Sequence, residues 1–583
     1  MARKKKKTNA PSRKADITNF ILLLLILLLV NVIGQYYYAR LDLTEEKRYT
    51  LTGATKKLLH NLDNDITIEV LLDGKFPAGF KRLKKATKEM LEDFRAQSPY
   101  LHYYFRNPNE GTVEEINKNR KALAEKGIVP VRLSVKDKSG TSEQFIYPVA
   151  IVHYGSRAMI VNLLENSNPT LNPEVALNNS ISLLEYKFAN AIQKLRMSFK
   201  PAIVFTQGHG ELAPIMIKDL TKTLSQYYDI GFVNPDTIIH IPPKLVDILV
   251  IARPQSEFTE KEKFIIDQYA MNGGKLIWLI DKLIVSLDSL AATGKYVPID
   301  YRLNLDDQLF KYGARIQPNL VLDLECARIP LRVGKSGNGP QLDMFSWYYW
   351  PTVLPYSKHP IVKGLDRVWM RFGSTIDTIR TKTPVKKTIL LASSKYSRVQ
   401  YIPTELNFEI LRYPPKPEKF NKGPQPMAVL LEGEFPSLYA GRVPLKMQAG
   451  LDSLKIPFRP RSVPTKMLVV SDGDVIRNEV NFRKKSYEPL GVNRYERSGI
   501  TYANKDFIVN AIEYMLEDEG IIAARAKDVK LRLLDTVRAE KEKTKWQLIN
   551  IALPLVLLAA FGWLYNLIRR RRFGRHSDTD KTA

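Results

Sequence analysis

Two long uncharged hydrophobic segments, one near each end of the chain, constrain the fold more than any other feature of the sequence. The first covers residues 17–38 and the second residues 546–568 of the 583-residue chain. At about 1.5 Å per residue, each would form a helix of about 33 Å, enough to cross a hydrocarbon core of about 30 Å. The sequence therefore predicts two transmembrane helices that flank a large central region.

Short basic tails adjoin both hydrophobic segments. Residues 1–16 carry seven lysines and arginines against one aspartate, and residues 569–583 carry six against two acidic residues. Short basic flanks stay in the cytoplasm, whereas long loops cross a membrane largely regardless of their charge. We therefore predict a two-pass protein of the inner membrane, with both termini cytoplasmic and residues 39–545 in the periplasm of a bacterium.

A cleaved signal peptide is the alternative for the first hydrophobic segment. Its cleavage site needs small residues three positions and one position before the cut, and residues 34–39 (GQYYYA) offer no such pair. We therefore expect a retained anchor. Within this segment Asn31 predicts a contact with a partner membrane helix, because polar side chains in hydrocarbon often hydrogen-bond across helices. A position near the interface, where Asn31 is merely tolerated, is the alternative.

The composition is that of a folded protein without disulfides. Hydrophobic residues make up 44% of the chain, and Cys326 is its single cysteine, so no intrachain disulfide can form. The net charge of +27 does not indicate a nucleic-acid-binding protein, because the basic residues concentrate in the two tails.

Residues 39–198 predict a first periplasmic α/β domain. Residues 66–72 and 101–105 read as strands, and apolar residues recur at helical spacing between positions 80 and 94. A hairpin is expected around residues 154–157, followed by a helix over residues 173–197. This order permits a thioredoxin-like arrangement, but no Cys-x-x-Cys motif is present, so redox chemistry is excluded for this domain.

Residues 199–525 predict a second periplasmic α/β domain with insertions. Apolar strands are expected at residues 202–205, 247–252, 275–280 and 467–470. Helices are expected over residues 214–228 and from the capping box that begins at Thr259. Strand–helix–strand order predicts a mainly parallel sheet, flavodoxin-like or amidotransferase-like. Residues 331–465 resist assignment and read partly as Gly/Pro-rich loops at 334–340 and 413–426. A charged helical stalk is expected over residues 526–545.

The candidate ligand-binding residues follow the predicted parallel strands. Ligands of such sheets bind beyond the carboxyl ends of the strands. The residues expected at that edge are Gly208, His209, Gly210, Glu211, Asp281, Asp472 and Asp474. The pair His209 and Glu211 could perform acid–base catalysis, but a purely structural turn is favoured, because no serine or cysteine nucleophile accompanies it. Residues 471–474 (SDGD) lack the spaced ligands of a calcium loop and favour a strand-end turn.

Two further chemistries are disfavoured by spacing. The remaining histidines show no zinc-ligand pattern, so no metal site is predicted. Residues 334–336 (GKS) resemble the end of a phosphate loop, but the required earlier glycine is replaced by Ile329. The chain is therefore not predicted to hydrolyse ATP.

Several stretches together resemble GldG-type proteins, the auxiliary or "substrate-binding" components associated with a gliding-motility ABC transporter of Bacteroidetes-type bacteria. The likeness covers nearly the whole chain, including both terminal anchors. Its motifs are residues 205–211 (FTQGHGE), 267–269 (DQY), 273–274 (GG), 304–313 (NLDDQLFKYG) and 471–474 (SDGD). The family supplies no catalytic residues to carry over.

The resemblance implies a non-catalytic auxiliary protein that works beside a separate ABC permease and a separate ABC ATPase. No cofactor, metal or nucleic acid is expected, the lipid bilayer holds the anchors, and the ligand is unknown. Two alternatives remain open at this point. One is a cell-envelope hydrolase that uses the turn at residues 208–211, and the other is a structural scaffold of the envelope.

Overall fold

The computed structural model describes residues 13–36, 50–137, 140–165, 173–197, 199–336, 339–443, 445–453, 456–496, 500–517, 520–526 and 542–573. The chain forms two compact units, Met1–Asp528 and Val529–Ala583.

The first predicted membrane segment lies in helix α1 (Arg13–Tyr36), which begins four residues earlier than predicted, inside the basic tail. Tyr37 and Tyr38 lie outside the described residues. Among the described residues, one helical stretch is long and apolar enough to cross a membrane by length and composition, Lys543–Arg571. The apolar helical stretch of α1, Phe20–Leu29, is shorter. A second span through α1 therefore stays a prediction.

A small α/β region follows α1. Its elements are α2 (Gly53–His60), β1 (Ile66–Val70), α3 (Ala78–Gln97), β2 (Leu101–Phe105), α4 (Val113–Glu125), β3 (Val131–Asp137), β4 (Gly140–Ile146), β5 (Val149–Tyr154), β6 (Arg157–Asn162), α5 (Pro173–Ser182) and α6 (Leu184–Arg196).

The sheet of this region has the order β2-β1-β5-β6. Strand β1 pairs in parallel with β2 and antiparallel with β5, which forms the predicted hairpin with β6. Strands β3 and β4 form a separate hairpin that the sequence did not predict. The single helix expected over 173–197 is two helices, α5 and α6, with Leu183 between them. The domain boundary at residues 198 and 199 stays a prediction.

The larger α/β region contains the remaining elements of the first unit. They are β7 (Ala202–Thr206), α7 (Lys218–Leu224), β8 (Asp229–Val233), β9 (Ile248–Ala252), α8 (Glu260–Met271), β10 (Lys275–Leu279), β11 (Leu283–Ile284), α9 (Leu287–Thr293), β12 (Lys295–Tyr296), β13 (Ile299–Asp300), α10 (Asp306–Tyr312), β14 (Ala314–Ile316), β15 (Asn319–Asp323), β16 (Cys326–Ser336), β17 (Gly339–Pro355), β18 (Val368–Trp369), β19 (Ile376–Thr378), β20 (Val385–Ala392), β21 (Ser397–Tyr401), β22 (Leu406–Asn407), β23 (Pro426–Gly433), α11 (Leu445–Ser453), β24 (Thr465–Val470), β25 (Val480–Asn481), β26 (Ser486–Tyr487) and α12 (Asn504–Leu516).

A ten-stranded mixed sheet organises this region, in the order β16-β17-β20-β23-β24-β10-β9-β7-β8, with β18 paired to β17. The five strands from β24 to β8 are parallel; four of them were predicted as strands, and β8 was not. The others pair antiparallel. The prediction of a mainly parallel sheet is therefore wrong for half of it, because the segment at 331–465 contributes the antiparallel strands β17, β18, β20 and β23.

The Gly/Pro-rich loop predicted at 334–340 is also wrong where the structure describes it. Those residues belong to the paired strands β16 and β17, with positions 337 and 338 outside the described residues. Gly334 lies opposite Gln341, next to an irregularity in the pairing after Arg332. A bulge of this kind accepts glycine inside a strand. The helix expected over 214–228 is a 3-10 turn, Pro214–Ile217, followed by the short helix α7.

Both faces of the parallel half are covered, which explains its continuous apolar strands. All five residues of β9 are buried. Leu249 and Ile251 face a core cluster that includes Tyr269 of α8. Val250 faces the opposite cluster, which includes Phe507 of α12. Alternate side chains thus anchor helices on opposite faces and hold the strand ends in fixed positions.

The second unit contains α13 (Lys543–Phe573), which includes the predicted segment 546–568. Its apolar side chains are exposed, as expected of a lipid-facing helix. The helix continues through Arg569–Arg572, which the sequence assigned to a tail. Most of the predicted stalk, residues 527–541, lies outside the described residues.

Candidate functional site

The candidate ligand-binding residues of the larger α/β region lie at the carboxyl edge of the parallel strands. The loops after β7, β10 and β24 carry residues 208–211, 281 and 472–474. Strand β7 lies between β8 and β9. The chain adds β8 on one side of β7 and then β9 on the other side, so the strand order reverses at β7. Such an edge is where open α/β sheets bind ligands. The structure divides the candidate residues into two clusters.

The first cluster is the turn after β7. Gly208 and Gly210 adopt positive φ angles of 118° and 75°, which glycine adopts without a steric penalty. A Cβ atom at Gly208 would lie 2.8 Å from Oδ1 of Asn234. The two glycines let the chain turn so that His209 points into the protein, where it is only 4% exposed.

Two glutamates flank the His209 ring. Its Nε2 lies 3.1 Å from Oε1 of Glu262 and its Nδ1 lies 3.4 Å from Oε1 of Glu211. The ring stacks on Phe258 with centroids 3.7 Å apart. Burial opposes protonation, but the adjacent carboxylates of Glu211 and Glu262 raise the pKa of His209 above its usual value.

This cluster joins the turn to helix α8. Glu262 also closes the predicted capping box, accepting hydrogen bonds from the backbone N–H and hydroxyl of Thr259 at 2.8 Å. Both nitrogens of His209 therefore face buried carboxylates, and its stacked ring is shielded from solvent. The arrangement favours the structural turn over acid–base catalysis on an external substrate.

The second cluster is built around Arg253, the residue after β9. Its Nε donates to Oδ2 of Asp281 at 2.7 Å and lies 3.2 Å from Oδ1 of Asp474. Asp281 also accepts a hydrogen bond from the backbone N–H of Gly473 at 2.6 Å. Arg253 is held at a positive φ of 58°, a strained conformation for a residue with a side chain. Three strand-end loops thus meet at one guanidinium.

Asp472 lies behind this cluster and is fully buried. Its carboxylate accepts hydrogen bonds from the backbone N–H groups of Arg371 and Asp474, both at 2.8 Å. Burial, together with the charges of Asp281 and Asp474, raises the pKa of Asp472 well above its usual value. Asp472 therefore positions the two segments and does not face a ligand.

The pKa of Asp474 is shifted in the opposite direction to that of Asp472. Burial opposes the charge of Asp474, but the nearby cations of Arg253, Arg477 and Arg371 keep its pKa below the usual value. Within the described ranges, no group of three or more His, Cys, Asp or Glu side chains could hold a metal ion.

A cavity of 130 Å³ opens beside the second cluster, and most of the residues around it were not predicted. It will be called the arginine cavity, and its polar and aromatic lining includes Arg253, Arg371, Arg477, Arg494, Asp474, Glu479, Trp350, Phe372 and Tyr495. No local pattern marks these residues, because several come from the segment that resisted assignment. The only sequence signal available was the position of Arg253 directly after a buried strand.

A larger groove of 930 Å³ shares Arg494 and Tyr495 with the arginine cavity. One wall is formed by the strands β16 and β17, including Cys326. Burial raises the pKa of the Cys326 thiol to about 12, so this cysteine is not an activated nucleophile.

The two clusters share no side chain, but Gln255, two residues after Arg253, connects them. Its backbone N–H donates to the carbonyl of His209 at 2.7 Å, and its side-chain amide donates to the carbonyl of Gly210 at 2.6 Å. Asn31 is exposed on α1 and belongs to neither cluster.

Comparison with solved structures gives only weak similarity. The chain is 12% identical to the mmIFT52 N-terminal domain, with a TM-score of 0.29 over 54% of this chain and 97% of that domain. It is 10% identical to the exo-beta-1,4-mannosidase Op5Man5 from Opitutaceae bacterium strain TAV5, with a TM-score of 0.18 over 70% of this chain and 47% of that enzyme. Scores this low carry no functional argument.

Sequence comparisons are more informative. The chain is 22% identical to an uncharacterized protein of Borreliella burgdorferi, over 73% of this chain and 79% of that protein. Residues 45–153 match a domain of unknown function, DUF7088. Residues 200–511, more than half of the chain, match the family described as an ABC-type uncharacterized transport system. The chain therefore belongs to this family of ABC transporter auxiliary proteins.

Proposed function

We propose that this protein is a doubly anchored, non-catalytic subunit of an ABC transporter linked to gliding motility. The observation that carries the proposal is the family match over residues 200–511, which spans the ten-stranded sheet. Family membership implies association with an ABC transporter. A separate permease and a separate ATPase are the partners that this role requires, and the main body binds a ligand or partner protein for them.

The C-terminal helix supports an anchor in the inner membrane. The stretch Lys543–Arg571 has a mean hydropathy of 2.0 in its most apolar window. Trp546 and Trp563 stand toward opposite ends of this helix, where aromatic residues favour the membrane interfaces. Arg569–Arg572 follow the apolar stretch and favour a cytoplasmic C-terminus. With α1 as the second anchor, the body lies in the periplasm.

Co-purification tests the partnership. The full chain is extracted in mild detergent, and we expect an ABC permease and an ABC ATPase to be recovered with it. Asn31→Leu should preserve insertion, because leucine is more apolar, and should weaken recovery several-fold, since interhelical hydrogen bonds contribute about 0.6–2 kcal/mol. Asn31→Gln keeps an amide and serves as the matched control.

Two results would count against different parts of the proposal. Equal permease recovery from wild type and Asn31→Leu would discard the contact at Asn31 alone. Failure of the wild type to recover any permease or ATPase would refute the transporter role itself.

Reporter fusions test the topology. A reporter active only in the periplasm should be active when inserted within residues 200–500 and inactive when fused after Arg572. Activity of the C-terminal fusion would exclude the two-span arrangement with both termini in the cytoplasm.

A further inference from the structure

We infer that the arginine cavity binds the anionic end group, a carboxylate or a phosphate, of an acidic ligand. The inference rests on the proposed function, because it names the chemical class of ligand that the periplasmic body would bind. Four arginines line a cavity of 130 Å³ at the edge of the sheet where ligands bind.

Hydrogen-bond donors outnumber available acceptors in this cavity. Arg253 uses its Nε for Asp281 and Asp474, and within the described part of the chain neither of its terminal nitrogens has a hydrogen-bond partner. Arg477 approaches Asp474 through Nη1 alone. Each guanidinium carries five N–H donors in a planar fork that matches the oxygens of carboxylate and phosphate groups.

Two of the three carboxylates that line the cavity, Asp474 and Glu479, are already engaged by arginines, and the charge of the third, Asp288, acts on Arg494. Asp474 lies within 3.3 Å of both Arg253 and Arg477. Glu479 is shared in the same way between Arg371 at 2.7 Å and Arg494 at 3.3 Å. These acids fix the guanidinium groups in place and are poorly suited to bind a cationic ligand. Apart from Asp288, the charged hydrogen-bonding capacity that remains in the cavity is that of the guanidinium donors, and it fits acceptor oxygens.

Arg371 is a buried part of this arrangement. It is 8% exposed, and its guanidinium lies 4.0 Å from the ring centre of Trp369 and 5.8 Å from that of Trp350. Burying an arginine is unfavourable unless its charge is paired. The aromatic faces and Glu479 hold this cation rigidly at the wall of the cavity, which prepares it for an anion.

Trp350 gives an independent indication of a ligand. This side chain lines the cavity and is 4% exposed. Its indole N–H is buried and has no acceptor among the described residues, as is also true of Trp278, Trp347 and Trp369, and of these four side chains only Trp350 lines the cavity. A buried donor without a partner is unfavourable, and native proteins rarely leave one unpaired. An acceptor oxygen of a bound ligand would satisfy it.

Two of the five non-glycine residues with positive φ angles in the described part of the chain line the cavity. Arg253 and Phe372 both line the cavity and both have positive φ angles, of 58° and 53°. Strained backbone at residues other than glycine is typical of ligand sites, where the surrounding structure enforces it.

The volume limits what can enter. Pockets for complete small molecules usually measure about 300–1,000 Å³, so a cavity of 130 Å³ accommodates an end group only. The adjoining groove of 930 Å³ shares Arg494 and Tyr495 with it. The rest of the ligand would therefore lie along strands β16 and β17.

Titration of the purified full chain with simple anions tests the inference. The probes are inorganic phosphate and acetate at constant ionic strength, with glucose as a neutral probe, and binding is followed by calorimetry and by tryptophan fluorescence. We expect saturable binding of at least one anion and no response to glucose. A preference for phosphate or for acetate identifies which anionic group the ligand carries.

Variants locate the site. Arg477 and Arg494 are 31% and 46% exposed, so Arg477→Gln and Arg494→Gln should fold, which thermal melting checks. Each should weaken anion binding about tenfold, because hydrogen bonds to charged groups are strong. Trp350→Phe should weaken it less and abolish most of the fluorescence change. Arg412→Gln, at an exposed arginine outside the cavity, is the control and should bind like the wild type.

Two outcomes would overturn the inference. One is the absence of saturable anion binding by the wild-type chain, and the other is equal weakening by the cavity variants and by Arg412→Gln. Both are distinguishable from failure of the proposed function. A chain that recovers the transporter but binds no anion refutes only this inference, whereas the reverse result refutes only the transporter role.

Discussion

Replacing His209 with phenylalanine should destabilise the protein most strongly below about pH 6.5. Phenylalanine keeps a flat ring against Phe258 but removes both nitrogens. The carboxylates of Glu211 and Glu262, whose side chains are 3% and 4% exposed, would lose their shared partner. Removing one partner of a buried ion pair costs about 3–5 kcal/mol, and we expect a loss of that order in the free energy of unfolding.

The pH dependence follows from the raised pKa of His209 in the folded protein. The folded state holds this proton more tightly than the unfolded chain does. Its contribution to stability is therefore fully present below about pH 6.5, the usual pKa of histidine, and is lost as the pH rises through the raised pKa. One proton limits the slope to about 1.4 kcal/mol per pH unit.

His359 provides a matched control with the opposite sign. It packs edge-on against Tyr514 at 4.5 Å, and burial lowers its pKa to about 4. The unfolded chain binds a proton at this position below about pH 6.5 and the folded protein does not. The contribution of His359 to stability therefore rises with pH. The loss of stability caused by His359→Phe should increase with pH below about pH 6.5, which is where the loss caused by His209→Phe is largest.

Urea denaturation of the full chain in detergent, followed by tryptophan fluorescence between about pH 5 and about pH 9, measures both effects. The two variants should show opposite pH slopes relative to the wild type. A cost of His209→Phe that is constant or increases with pH would refute the argument that the imidazolium is held between two carboxylates.

Two further substitutions test the framework of α8 in the same assay. Thr259→Ala removes the capping box and should cost about 1 kcal/mol, because the hydroxyl satisfies a free amide at the helix start; no measurable loss would mean that the cap is redundant. Asp267→Ala should cost about 3–5 kcal/mol, since the buried donors of Ser437, Leu438 and Tyr312 lose an acceptor at 2.6–2.9 Å. Asp267→Asn keeps one oxygen and should cost less. Equal costs of the two substitutions would contradict the role of Asp267 as a hydrogen-bond acceptor.

Local interactions explain which elements could be predicted from the sequence. The capping box at Thr259 depends on neighbouring residues only, and it is present. The strands β7, β9, β10 and β24 are buried on both faces, so their unbroken apolar runs were visible in the sequence. The residues that follow these strands could then be assigned to one edge of a sheet from the sequence alone.

The segment at 331–465 could not be predicted for the opposite reason. Its strands β20 and β23 pair antiparallel with partners distant in the chain, as does the end of β17, and the pairings of β16 with β17 and of β20 with β23 are interrupted by bulges. Strand pairing across long separations leaves little trace in local composition. Most of the strands of this segment therefore could not be assigned from the sequence.

The candidate site shows the same division. The sequence alone determined that Asp281, Asp472 and Asp474 follow buried strands, because each strand end is a local feature. Only the tertiary structure decided that Asp472 is buried behind the site and that Asp281 and Asp474 share Arg253. It also brought Arg371 and Arg494 to the same cavity. These ion pairs join residues that are far apart in the chain, so no spacing in the sequence predicts them.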